Sequence, residues 1–230
     1  MEIAGFQKIS LIDYPGKISA ILFIWGCNLH CNYCHNPELV DPKLKPPAIP
    51  ENEIFDFLDK RKKILDGITV TGGEPTLYKE LPDFLSKIKE YKLLVKLDTN
   101  GTCPQMLEKV IQKNLVDYLA MDIKAPLEKY KEVVGKEIDL ENIKKSIKII
   151  MGSKIDYEFR STLLPDLHNQ NDIIEMAKLI KGAKRYVLQT FIPQSKLLNL
   201  EFKDKKPYSQ QEMEYFAKIC QGIVKECTVR

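Results

Sequence analysis

The sequence predicts an α/β fold: a partial (β/α)6 TIM-like barrel of parallel strands with one open lateral side. Three observations lead there. Six short runs rich in β-branched and aromatic residues alternate with amphipathic segments, the rhythm of consecutive βα units. Each run empties into a group of turn-forming or chemistry-bearing residues, which gathers the functional loops at one face of the sheet. A closed barrel needs eight strands and typically about 250 residues, whereas these 230 residues carry six convincing units.

The elements follow in order. Residues 6–12 read as a short extended segment, and Asp13-Tyr14-Pro15-Gly16 turns the chain into the first core strand. That strand, 18–25, is mostly apolar, with β-branched and aromatic residues, and ends in Trp25, the pattern of a strand buried on both faces. Residues 26–37 form a loop bearing three cysteines, after which Pro42, Pro46, Pro47 and Pro50 keep the chain irregular. Residues 51–65 place Ile54, Phe55, Leu58 and Ile64 on one helical face. The second strand, 67–71, runs into Gly72-Gly73-Glu74-Pro75. A helix over 79–91 leads to a third strand, 93–97, which ends in Asp98-Thr99-Asn100-Gly101. A helix over 104–113 precedes the fourth strand, 116–121, which delivers Asp122-Ile123-Lys124. A helix over 140–151, with Ile143, Ile147 and Ile150 inward, feeds a fifth strand at 157–165 that carries Arg160. A helix over 172–181, a sixth strand at 186–191 and a closing helix over 209–225 complete the chain.

Composition restricts the functional classes. The length suits one domain, 1–230, with a substantial core. A net charge of +3 with interspersed signs gives no nucleic-acid footprint. No basic leader with an apolar region opens the chain, and no stretch reaches the roughly 20 apolar residues of a membrane span. A cytoplasmic protein is expected. Six cysteines, half of them in one loop, do not form an extracellular disulfide framework.

The cysteine loop concentrates the chemistry. Cys27, Cys31 and Cys34 have the spacing C-x3-C-x2-C at the C-terminal mouth of a buried strand. Thiolates are soft ligands for iron-sulfur clusters and zinc, and three of them leave one corner of a four-iron cubane open for substrate. Zinc held with His30 or His35, or plain buried thiols, are the other readings of the same residues, although zinc ligands usually arrive as two separated pairs. The remaining groups are ambiguous alone. Gly72-Gly73 can be a turn or a close approach to a ligand, with Glu74 as an acceptor for a cationic group. Asp98-Thr99-Asn100-Gly101 reads equally as a turn with a helix cap. Alternation puts Asp122 and Lys124 on one side of their strand end, where they could be a surface ion pair. Arg160 suits a structural salt bridge or an anion clamp. Cys103, Cys220 and Cys227 read as ordinary thiols.

The C-x3-C-x2-C loop resembles that of the radical S-adenosylmethionine enzymes. Gly26-Cys27 followed by Tyr33-Cys34-His35-Asn36-Pro37 is similar to the glycyl-radical-enzyme activating branch. Leu11-Ile12-Asp13-Tyr14-Pro15-Gly16-Lys17 resembles the activating proteins of anaerobic ribonucleoside-triphosphate reductase. The resemblance implies a [4Fe-4S] cluster on Cys27, Cys31 and Cys34, with S-adenosylmethionine as the fourth ligand. It implies a cofactor site bordered by Gly72, Gly73, Glu74, Asp98, Asp122, Lys124 and Arg160, with Glu74's segment holding the cofactor amino group and Asp98 and Asp122 facing a small cation. The implied partners are a glycyl radical enzyme and a one-electron donor such as flavodoxin or ferredoxin. Pyruvate formate-lyase is the alternative target, and the short chain leaves no room for an added ferredoxin-like domain. A radical enzyme for a small molecule and a zinc-binding interaction module are the competing classes. Relatives can carry a histidine after the last strand, where Pro193-Gln194-Ser195 stands here, so no histidine role is transferred. The open side of the barrel would admit a segment of a protein substrate.

Overall fold

The computed structural model describes residues 1–193 and 196–230. Its strands are β1 (Ile3–Ser10), β2 (Ser19–Ile24), β3 (Gly67–Gly72), β4 (Leu94–Thr99), β5 (Tyr118–Asp122), β6 (Asp156–Leu163), β7 (Tyr186–Thr190) and β8 (Cys227–Val229). The helices are α1 (Glu51–Arg61), α2 (Leu81–Glu90), α3 (Pro104–Gln112), α4 (Tyr130–Val134), α5 (Leu140–Gly152), α6 (Gln170–Leu179) and α7 (Gln210–Cys220). All eight strands form one sheet in sequence order. From β2 to β8 every neighbouring pair is parallel, and β1 lies antiparallel against β2. Among the described residues β1 and β8 are the two edges, so the barrel is open between them.

Two elements exceed the expected six. The extended segment at 6–12 is the end of a full antiparallel strand, with Ile3 paired to Ile24 and Ser10 to Ser19. The closing helix stops at Cys220, and the chain adds a seventh parallel strand in which Cys227 pairs with Tyr186. Three residues are too few to show an alternation; β8 exists because β7 offers it an unpaired edge.

Strand alternation explains the two layers. Leu22, Val70, Leu97, Met121, Phe159 and Leu188 face the helices and share the large core with Ile54, Leu85, Leu107, Ile147, Met176 and Phe216. Burying each such side chain contributes about 1.5–3 kcal/mol. The alternate residues turn into the barrel and are largely polar: Thr69, Lys96, Asp98 and Glu158 are all buried. At the floor of the barrel Tyr14 is buried against Tyr118, ring centroids 5.7 Å apart, with Ala120 and Leu94 beside them. Beside this plug, Glu158 accepts from Tyr118 at 3.1 Å and from both Arg230 nitrogens at 3.1 and 3.0 Å. The run at 11–17 therefore closes the end of the barrel where the parallel strands begin, the end opposite the cysteines. No helix is long and apolar enough to cross a membrane.

Candidate active site

At the other end, β2 releases the chain into the cysteine loop. Gly26, at φ +91, makes the turn, and its N–H donates to Leu39 O at 2.9 Å. Within the loop Leu29 N donates to Cys27 Sγ at 3.4 Å and Cys34 N to Cys31 O at 2.9 Å. Distant segments hold it from two sides. His30 N donates to Val134 O at 2.8 Å, where α4 ends. The chain beyond β7 returns so that Leu198 N reaches Cys34 O at 3.0 Å and Asn199 N reaches Asn32 O at 3.1 Å. His35 stacks on Phe191 at 5.4 Å and donates from Nε2 to Ile192 O at 2.9 Å.

Cys27, Cys31 and Cys34 line one cavity that opens to solvent. All three are free thiols, and burial pushes Cys27 up to about 12 and Cys31 to about 11. Among the described residues no three His, Cys, Asp or Glu side chains are grouped as ligands of a single metal ion. The ligands of one zinc crowd around a single point at about 2.0–2.3 Å. Three soft donors set along the wall of a cavity instead fit the separated iron corners of a cluster.

The facing wall is charged. Gly72, Gly73, Asp98, Asp122, Lys124 and Arg160, all expected at the site, line the same cavity. Arg160 donates from Nε to Asp122 Oδ1 at 2.9 Å and from NH1 to Asp98 Oδ2 at 3.0 Å. Lys124 reaches Asp122 Oδ2 at 2.9 Å, and the buried Lys96 pairs with Asp98. Burial favours the neutral carboxyls, yet Arg160, with Lys96 at one and Lys124 at the other, holds both Asp98 and Asp122 below the usual range. Burial works against Lys124 too, and Asp122 overcomes it, holding the ammonium well above its ordinary value. Lys96 goes the other way, because its desolvation outweighs Asp98. The Arg160 guanidinium donates to both carboxylates and ties Asp98 to Asp122.

Glu74 departs from expectation. Fully buried, it lies behind the cavity wall and not on it. Its carboxylate accepts from Thr76 N at 3.1 Å, Thr76 Oγ1, Thr99 Oγ1 at 2.8 Å and Asn100 N at 2.6 Å. Burial raises its pKa while these donors oppose the rise. Glu74 thus braces the end of β3 against the end of β4. Gly73 shows why a glycine precedes it: a Cβ there would stand 2.0 Å from Gly26 O.

The site residues expected from sequence omit other lining residues, among them Tyr33, Thr71, Asn100 and Thr162. Period-two alternation carried a signal for two of them, since Asn100 lies two beyond Asp98 and Thr162 two beyond Arg160. His168 had no signal. It is buried, its Nδ1 accepting from Leu164 N at 3.3 Å and its Nε2 donating to Lys124 O at 2.8 Å, so it fixes the backbone that carries Lys124. Cys103, Cys220 and Cys227 lie outside the cavity. Of Pro193-Gln194-Ser195, residues 194 and 195 fall outside the described residues.

Comparison with known proteins agrees with this geometry. Residues 21–180 match the Radical SAM superfamily. A protein of Methanocaldococcus jannaschii, provisionally named a glycyl-radical enzyme activating enzyme, is 36% identical over 99% of this chain and 95% of its own. The pyruvate formate-lyase-activating enzyme of Clostridium pasteurianum is 28% identical over 88% of each chain. Among solved structures, Streptococcus suis SuiB bound to S-adenosylmethionine superimposes with a TM-score of 0.69 at 15% identity, which establishes likeness of fold. That alignment covers 89% of this chain, and this chain spans about half of SuiB, 48%.

Proposed function

Because the chain belongs to the radical SAM superfamily and to its glycyl-radical-enzyme activating family, we propose that it generates the glycyl radical of an anaerobic ribonucleoside-triphosphate reductase. Radical SAM enzymes use a [4Fe-4S] cluster and S-adenosylmethionine. When bound, these supply an electron and the sulfonium whose one-electron cleavage leads to removal of a hydrogen atom from a glycine.

The observation that carries the reading is the convergence of three cysteines and four charged side chains on one cavity. On this reading Cys27, Cys31 and Cys34 hold three irons and leave the fourth to the cofactor. The backbone edge at Gly72 and Gly73 comes close to the ligand because neither residue carries a side chain. Arg160 and Lys124 present fixed positive charge to its carboxylate, and Asp98 and Asp122 present negative charge to its cationic groups. These four charges are already paired with one another, so they meet the ligand without reorganising. Glu74 acts at one remove by bracing the wall.

The partner in this family is a protein, and the open side between β1 and β8 offers a way in for its glycine-bearing segment. A one-electron donor such as flavodoxin or ferredoxin supplies the cluster. Support for the reductase comes from the resemblance of Leu11 to Lys17. Within that run Tyr14 plugs the barrel floor, while Leu11 and Ile12 stand exposed. A second reading, pyruvate formate-lyase as target, is favoured by likeness to the clostridial enzyme. The test mixes reduced, reconstituted protein and S-adenosylmethionine with each candidate partner and looks for a glycyl radical by electron paramagnetic resonance. A signal on the reductase supports the proposal, and a signal on pyruvate formate-lyase alone overturns the choice of target.

A further inference from the structure

Asn100 sits beside Cys27 in a closed ring of side chains. Asn28 Nδ2 donates to Thr102 Oγ1 at 2.9 Å, Thr102 Oγ1 donates to Asn100 Oδ1 at 2.7 Å, and Asn100 Nδ2 donates back to Asn28 Oδ1 at 2.9 Å. The orientation of the Asn100 amide is unambiguous, because its Oδ1 also accepts from the Thr102 backbone N–H at 3.0 Å. A backbone N–H can only donate. The amide nitrogen must then face the other way, toward the cysteine loop, with two hydrogens to place. One goes to Asn28. The second meets Cys27 Sγ at 3.9 Å. The amide is anchored as well as oriented: Asn100 is buried, and its own N–H is fixed by Glu74 at 2.6 Å.

We propose that the Asn100 side-chain amide donates to the Cys27 sulfur and thereby raises the reduction potential of the cluster that this cysteine holds. The proposal rests on the cluster reading above. Reduction adds negative charge to the cluster and its sulfurs, and a donor aimed at one sulfur stabilises the reduced form more than the oxidised one. The ring makes the donor permanent. Asn28 and Thr102 occupy the remaining polar atoms of the amide, so it cannot rotate away as the charge changes. Asn100 is in this sense a positioning residue acting through Cys27.

The test is the midpoint potential of reconstituted protein, without S-adenosylmethionine, measured by a redox titration followed by electron paramagnetic resonance. Asn100→Ala removes the donor, and we expect about a three- to tenfold loss in the equilibrium constant for reduction, tenfold being about 59 mV for one electron. Asn28→Ala opens the same ring but leaves the N–H at Cys27, so it should stay within about twofold of the parent. Should Asn100→Ala fail to hold a cluster, Asn100→Asp retains the acceptor for Thr102 N–H, lacks the donor and should shift in the same direction. An unchanged potential in the Asn100 variant that loads, or an equal shift in Asn28→Ala, overturns the inference. A parent protein that binds no cluster overturns the functional reading itself and this inference with it.

Discussion

Gly73→Ala adds one methyl group at the point where the β3 loop touches the cysteine loop. That methyl carbon would lie 2.0 Å from Gly26 O and 2.5 Å from Gly26 C, where ordinary contacts begin at 3.4 Å. The obstacle is backbone on both sides. Two hydrogen bonds, Gly73 N to Ile24 O and Glu74 N to Gly26 O, each 2.8 Å, clamp the segments together. Separating them by about 1 Å strains or breaks both bonds, which adds about 0.5–1.5 kcal/mol apiece to an overpacking cost of about 1–3 kcal/mol. We expect a loss of about 3–5 kcal/mol, read from urea unfolding of the iron-free protein. The same displacement moves Cys27, and about 1 Å of misplacement costs roughly 100-fold in rate. Iron content and 5'-deoxyadenosine formation should both collapse. Gly152→Ala is the control, because a Cβ at the end of α5 meets nothing within 4 Å; it should be neutral or stabilising by about 1 kcal/mol. A Gly73→Ala protein within about 1 kcal/mol of the parent and with full iron content would refute the argument.

The three loop cysteines and the other three should separate cleanly: Cys27→Ala, Cys31→Ala and Cys34→Ala each abolish iron binding, while Cys103→Ala, Cys220→Ala and Cys227→Ala retain it. Arg160→Ala leaves Asp98 and Asp122 without their shared partner, and we expect a loss of about 3–5 kcal/mol together with weaker S-adenosylmethionine binding by calorimetry. Because Arg160 and the two lysines depress these carboxyls, the stability they contribute is present above the unfolded value, about pH 4, and is lost as pH falls below it. In Arg160→Ala that acid limb should flatten. Burial lowers the His168 pKa, so below about pH 6.5 the unfolded chain binds more protons and stability declines as pH falls. Urea midpoints between pH 8 and 5 should show that decline in the parent and a smaller one in His168→Asn.

Much of the fold was legible because its signals are local. The runs at 67–71 and 186–191 needed only β-branched and aromatic residues to declare themselves, and both are strands with ends displaced by one residue. β8 was not legible, since three residues without pattern become a strand only when β7 presents an edge. Within the site, the spacing of Cys27, Cys31 and Cys34 and the strand-end placement of Asp98, Asp122 and Lys124 pointed to residues that line one cavity. The inward turn of the Glu74 side chain was not legible because a strand-end acceptor looks the same whether it faces a ligand or three neighbouring donor residues. The pairing of Arg160 with two aspartates on different strands depends on register between β4, β5 and β6, and His168 on a turn that closes beneath Lys124. Neither leaves a trace in the chain's periodicity.

The return of the chain after β7 to the cysteine loop also orders events in time. His35 and Ile192, which hydrogen-bond to one another, are 157 residues apart, and Cys34 and Asn32 wait on Leu198 and Asn199. At roughly 5–20 residues per second, a ribosome needs about 10–30 s to supply the second half of that clasp after it has made the first. During this interval the three thiols are present but their loop lacks its outer support. Iron loaded early would meet a loose tridentate peptide, and iron loaded after the last third of the sheet has formed meets a preset one. We expect the loop to hold iron less well when this return of the chain is lost, so a protein truncated before residue 198 should bind less iron on reconstitution than the full chain.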